Sequence, residues 1–511
     1  MNRGRAWLLV ALAAGRPAVS AAGAGVWWDR AETGFTGSAY CVVVDPSGPI
    51  YAGGSYRSGT GTTIPFLRKY SPYGGPVWTV TMAGAGSTTW EDAVRGVALY
   101  PVSGTTYDVI AVGAVWNGAT PGQDGFVARL TPYGTTAWAV PLNPSGTGSD
   151  GANAVAVTPA GDIIVAGWQA GTGGVADVYV QRVTGTGTAA KGDATTFPVP
   201  EFAGVDDRAL AVAIDRSGSI YVGGYVTTAG EGTDAWVAQY PATGSLGLGP
   251  LWTVTLEGAG SSTDFIGGLA VDPAGGLYAV GGETGALGWL DILLARITLG
   301  GAVVWTLTID GGEGDSDEAD ACTVEPGGDL LVAGSIDRPT DTFSDLWVAR
   351  LGSDGAIRWE FDRNGPGYYI DGGRGIAMTP SGGICVAGFE SDLIAGLPHP
   401  WLVDLRESSP APAASPGSPA PHAVPNPFRP GRGGSFDAAG ITFRPVPAGA
   451  RVRIYTLAGA LVIELRDEDS DGLIAWNARN SSGKDVSSGV YLFVVDAGTG
   501  SPSRGKVVII R

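Results

Sequence analysis

Lysine, histidine, cysteine and methionine are all scarce in this 511-residue chain, which holds four Lys, two His, three Cys and three Met. With His399 and His422 the only imidazoles, and His422 in a stretch that reads as linker, a Ser-His-Asp or Cys-His device has at most one folded histidine. The cysteines, Cys41, Cys322 and Cys385, show no CxxC or Cys-His spacing and are odd in number, so they read as buried free thiols. Charge is sparse as well: 16% of positions are charged, and 49 acids against 31 bases give −18. Clustered cations to neutralise phosphates are missing, which sets nucleic-acid binding aside. No Walker loop or HExxH occurs. No apolar run approaches the ~20 residues that cross a bilayer. The short run Ala6–Ala14, preceded by Arg3 and Arg5 and followed by the small residues Ser20 to Ala24, reads as a signal peptide over 1–24. The expected product is extracellular or on a bacterial cell surface, with no transmembrane span in the mature chain.

What is abundant is glycine, 84 residues, together with 16 Trp and 17 Tyr. The glycines have no three-residue period, which excludes collagen, and the aromatics need burial, which excludes wholesale disorder. A unit best seen in Ala211–Gly224 recurs, its turn glycines falling at Gly48, Gly104, Gly161, Gly218, Gly275, Gly328 and Gly382. Each unit contains four short alternating runs separated by turn residues, as in Ala209–Asp215, Ser219–Tyr225, Asp234–Tyr240 and Leu251–Leu256, the signature of strands. Seven such units predict an all-β chain whose residues 25–406 form a seven-bladed β-propeller. Trp78, Trp138, Trp252, Trp305 and Trp359 mark the fourth strand, with Phe197 substituting in the third unit. The seventh unit lacks this strand. Val26-Trp27-Trp28-Asp29 supplies it from the other end, with Trp27 at nearly the repeat spacing before Gly48.

Units such as Ala270–Tyr278 and Asp345–Leu351 resemble bacterial propeller repeats of the SBBP type. The repeated Trp near a Gly turn is also similar to quinoprotein propellers, but no vicinal Cys pair is present and no quinone cofactor is expected. Residues 407–425 are a Pro-rich, semi-rigid spacer. Alternating runs resume over 426–511 and predict a small Ig-like sandwich. Asn426-Pro427-Phe428, Val452–Gly459, Trp476-Asn477, Ser488–Tyr491 and Lys506–Arg511 resemble the Ig-like module of flagellar hook-capping proteins and the C-terminal sorting domains of type IX secretion. That resemblance implies recognition of the tail by secretion machinery, with the tail then cleaved or retained.

Two carboxylate sets recur. Asp92, Asp150, Asp207, Asp264, Asp317 and Asp371 precede the first strand; Asp124, Asp177, Asp234, Asp291 and Asp345 open the third. In an up-down sheet the 4→1 and 2→3 loops leave from one end, so both sets line one face. They serve either as acceptors for turn N–H groups or as an acidic surface for cations or a basic partner. The variable residues Tyr56, Trp116, Trp168, Tyr225, Glu283, Asp337, Phe389 and Glu390 share that face. They make a ligand-binding face for a glycan, peptide or protein, or else pack between blades. Asp467, Asp469 and Asp471 have the spacing of a calcium loop, but Ala478 stands where the bidentate Glu belongs, so a solvated turn competes with a calcium site. The expected function is a secreted, non-enzymatic binding module. The alternatives are a carbohydrate-active enzyme using acids of the same face and a structural envelope component.

Overall fold

The computed structural model describes residues 24–511 apart from 33–35, 60, 83–91, 117–121, 143–147, 172–174, 198–205, 229–231, 257, 259–262, 286–287, 313–315, 339–342, 365–369, 392–396, 408–421, 431–439, 445, 447–449, 457–459, 467–472 and 497–502. Among the described residues the regular structure is strand, save one short 3-10 turn at Leu246–Leu248. No helix is long and apolar enough to cross a membrane.

Each repeat folds as an antiparallel meander. In the fourth, Arg208–Ile214, Ile220–Thr228, Gly232–Tyr240 and Trp252–Leu256 pair in chain order. Its second strand is buried on both faces from Ile220 to Gly224, because neighbouring sheets cover both sides. Seven four-stranded sheets of this repeat are formed among the described residues. The first strand of each lies against the first strand of the next, and Thr36–Val44 touches both Ala93–Ser103 and Gly372–Met378. The order of contacts therefore returns to its start, which is the arrangement of a β-propeller.

One backbone irregularity recurs in every sheet. The register of strand one shifts around Tyr40, Arg95, Asn153, Leu210, Gly267, Asp320 and Arg374, each the extra residue of a β-bulge. Next to the bulge, a carbonyl of strand one fills the space where strand two would carry a Cβ. An added Cβ at Gly54, Gly113, Gly167, Gly224, Gly281, Gly334 or Gly388 would lie 1.8–2.1 Å from that oxygen. Only glycine fits there.

Adjacent sheets are tied by tryptophan. The indole N–H groups of Trp78, Trp138, Trp252 and Trp305 donate to Pro132, Gly185, Leu299 and Ser353 carbonyls in the following sheet, at 3.1–3.2 Å. The rings lie over that sheet's turn glycine, so a Cβ at Gly187 or Gly301 would stand 2.8 Å from Trp138 or Trp252.

The seventh sheet has the order Ala24–Ala31, Pro398–Glu407, Ile384–Ser391, Gly372–Met378, so the N-terminal strand completes it. The aromatic expected at the tie position is corrected by one residue. A bulge between Val26 and Trp28 puts Trp28 opposite Asp404, as Trp138 stands opposite Arg129, and Trp28 lies over Gly74 of the first sheet. Trp27 is the extra residue, and counting back from Gly48 could not reveal an insertion. Phe197 is also corrected: it pairs with Val178, away from the position opposite Arg182.

Beyond the ring, His422–Val424, Ile441–Arg444 and Ile474–Trp476 form a three-stranded sheet. Leu461–Arg466, Arg451–Thr456, Gly489–Asp496 and Ser503–Ile509 form a four-stranded one. Both sheets contribute to one core, with Phe443, Trp476, Ile454 and Phe493 at its centre. His422–Val424 lies inside the stretch read as spacer. The loop of Asp467, Asp469 and Asp471 lies outside the described residues.

Candidate functional site

The carboxylates that open strand one share one backbone role. Asp92, Asp150, Asp207, Asp264, Asp317 and Asp371 each accept the N–H of a residue near the end of strand two: Trp116, Ala170, Thr227, Thr284, Asp337 and Ser391, at 2.5–2.8 Å. Asp264 and Asp317 use their second oxygen on the N–H of Gly258 and Gly311, six residues earlier in the chain. These side chains therefore hold the ends of two strands and a loop together, which explains their recurrence. In the first sheet Gly37, inside Thr36–Val44, takes the same register, opposite Tyr56, and an added Cβ there would meet the Ser55 carbonyl.

Burial makes several of these carboxyls reluctant to ionise. It pushes Asp317 up to about 7 against the opposing N–H groups of Asp337 and Gly311, with Asp310 and Asp337 adding repulsion. It pushes Asp207 up to about 6 against the Thr227 N–H, helped by Asp177 and Asp206. The second set lies close by. Carboxylate oxygens of Asp291, Asp310 and Asp317 lie within 4.8 Å of one another, close enough to share one hard cation. His399, opposite Glu390, occupies the register slot that Asp291 takes opposite Glu283.

The eight variable residues fall at three register positions near the end of strand two. Trp168, Tyr225 and Phe389 directly follow the bulge glycine; Tyr56, Glu283 and Glu390 come one residue later; Trp116 and Asp337 come two later. Trp168 is 5% exposed, with the Arg95 and Arg208 guanidiniums 5.7 and 5.0 Å from its ring. Tyr225 donates its hydroxyl to Asp206 at 3.1 Å. Phe389 lies under Arg374 at 5.6 Å. Glu283 accepts the Thr308 hydroxyl, and Glu390 is within reach of Arg363 at 3.5 Å.

The residues that sequence reasoning missed are those of the bulges. Strand one is the innermost of each sheet, and the bulged residues reach one another or their neighbours across sheet boundaries. Arg374 pairs with Asp320 at 2.9 Å and Glu318 at 3.4 Å, and Asn153 donates to the Ala209 carbonyl. Burial raises the Asp320 carboxyl, while Arg374 pulls it down. Arg95 and the first residue of the fourth sheet, Arg208, meet at the Trp168 ring, while Arg374 stands between Glu318 and Asp320. The signal in the sequence was negative: these positions carry Tyr, Arg, Asn, Leu, Gly, Asp and Arg in turn, inside an otherwise regular frame.

No family model matches the chain, and no curated protein does. Among solved structures, it is similar to PorZ, a surface component of the type-IX secretion system of Porphyromonas gingivalis, at 16% identity and a TM-score of 0.41. That match covers 91% of this chain and 58% of PorZ, so the chain spans little more than half of that protein. A copper-containing fungal alcohol oxidase matches at 16% identity and a TM-score of 0.45, covering 96% of this chain and all of the oxidase. YCF48 bound to D1 peptide matches at 11% and 0.42, covering 76% and 99%. Likeness at this level assigns no activity, and the propeller assignment rests on the sheet order.

Proposed function

We propose that the protein is a non-enzymatic binding module, a seven-bladed propeller that offers one face of its disc to a glycan, peptide or protein outside the cell. Export by the N-terminal signal and carriage by an Ig-like sorting unit over 426–511 complete this reading, which places SBBP-type repeats in 25–406. One observation carries it. The six in-register carboxylates are engaged with backbone N–H groups, whereas the bulged residues of strand one range from Gly267 and Leu210 through Tyr40 and Asn153 to Asp320, Arg95 and Arg374. A frame held constant around a variable centre suits recognition. The test is a glycan and peptide array probed with the full chain, with calcium and with chelator, reading binding and product release together. Saturable binding without turnover, weakened by Arg95→Ala, is expected; turnover overturns the proposal.

A second reading, a carbohydrate-active enzyme, is favoured by Asp317. Its raised carboxyl, about 7, beside the carboxyls of Asp291 and Asp310 resembles the grouped acids of a general-acid site. Under that reading Asp317→Asn abolishes product release while leaving binding intact.

A further inference from the structure

Trp27, displaced from the tie position by the closing-strand bulge, has two cations against its ring. The Arg406 guanidinium carbon lies 4.0 Å from the ring centroid and that of Arg444 lies 4.2 Å away. Arg444 also stands 5.5 Å from the ring of Tyr73. All three distances are within the ~6 Å reach of a cation–π contact. The residues come from separate parts of the chain. Trp27 is on the closing strand, Arg406 on the strand it pairs with, and Tyr73 in the first-sheet turn beside Gly74, on which Trp28 rests. Arg444 ends Ile441–Arg444 of the C-terminal unit. The propeller residues thus mark the seam where the two ends of the ring meet, and the cation from the C-terminal unit lands on it.

We propose that the C-terminal unit docks on this seam through Arg444 and acts as a clasp on the ring-closing strand. Three observations favour this chain's own unit as the occupant. The propeller leaves off at Glu407, whose partner across the sheet is Ala24, so the 408–421 spacer starts at the seam itself. A short tether of this kind keeps its cargo at an effective concentration of about millimolar, enough to fill a modest contact. Arg444 is half-buried at the dock, and desolvation there lowers its pKa, whereas the ring beneath it offers the electron-rich face a desolvated guanidinium prefers. The geometry also orients the disc. Tyr73 lies in a 3→4 turn, at the end of the sheets opposite the 4→1 and 2→3 loops, so the docked unit leaves the candidate binding face uncovered. Loss of the unit, by proteolysis or otherwise, loosens the closing strand. None of this depends on what the propeller binds.

Hydrogen exchange on the full chain tests the clasp. Arg444→Ala is expected to speed exchange in Ala24–Ala31 about tenfold, the loss of one or two such contacts, with Ile220–Thr228 unchanged. Arg444→Lys, which keeps the charge without the planar guanidinium, falls between. Exchange in Gly489–Asp496 reports whether the C-terminal unit itself stays folded. Should it loosen in Arg444→Ala, a protease site inserted within 408–421 gives the second measurement. Cutting it and removing the released unit must raise exchange in Ala24–Ala31 by a similar factor. Unchanged exchange there, in the variant with an intact unit or after release, overturns the clasp.

Discussion

Replacing Gly224 with alanine isolates the steric demand of the strand-one bulge. The new Cβ would lie 2.0 Å from the Arg208 carbonyl oxygen and 2.9 Å from the Ala209 Cα. Both obstacles are backbone, so no side-chain rotation relieves them, and strand one has to retreat by about 1 Å to restore a tolerable contact. The retreat strains the pairing of Arg208 with Tyr225 and of Ala209 with Gly224. It also disturbs the packing of the fourth sheet on the third, where Ala209 and Val222 share a core with Ile164 and Val178. Overpacking costs about 1–3 kcal/mol, and one weakened ladder hydrogen bond adds about 1 kcal/mol, so a loss of about 3 kcal/mol is expected. Gly275→Ala is the control. Its Cβ meets nothing within 4 Å, and only its φ of +105° resists substitution, at a cost of about 1–2 kcal/mol. Urea unfolding of both variants, followed by tryptophan fluorescence under identical conditions, measures the difference. If Gly224→Ala unfolds at the same urea concentration as Gly275→Ala, the bulge does not dictate the glycine and the reasoning fails.

Three further outcomes follow from contacts already described. Trp252→Phe keeps a ring near Gly301 but loses the indole bond to Leu299, so it should cost about 1 kcal/mol, while Trp252→Ala should cost about 3 kcal/mol; denaturant midpoints of the two check the ranking. Because burial raises Asp317 from 3.8 to about 7, the folded state holds its proton to higher pH than the unfolded chain. Its contribution to stability is therefore complete below about pH 4 and falls as pH rises towards 7; unfolding midpoints at pH 5 and pH 8 should show a smaller decline in Asp317→Asn. Cys385 is fully buried with its thiol pushed well above 9, and Cys41 is raised to about 12. Neither should react with a thiol reagent at pH 8 until the protein is denatured, and labelling of the native chain at either position contradicts that burial.

The repeat was legible because turn chemistry is local: Gly218 needs a positive φ and recurs wherever the first two strands meet. The closing strand was legible from a deficit, a seventh unit one strand short. A bulge is harder to read, since it adds a residue without changing composition. That is why spacing alone points to Trp27 where Trp28 holds the position, and why eight residues counted from a common motif fall at three register positions. The Asp264 type of side chain was ambiguous for another reason. Its acceptor role joins residues 20 apart, and nothing near it in the sequence distinguishes an N–H held by a carboxylate from a ligand held by one. Arg444 gave no signal at all, because its partners are Trp27 and Tyr73, at the far end of the chain.

The ring is closed by the earliest of the described strands, Ala24–Ala31, and its partner Pro398–Glu407 is among the last parts of the propeller to be synthesised. Contacts of such separation are slow to form, and Ala24–Ala31 has no partner strand until Pro398–Glu407 has been made. Until the two pair, the edge of Pro398–Glu407 is open and offers its backbone groups to any extended chain. The nearest competitor of correct sequence is the first strand of another copy. Crowded, unfinished chains are thus exposed to exchange of this strand between molecules, and dilution during folding favours closure of each ring on itself.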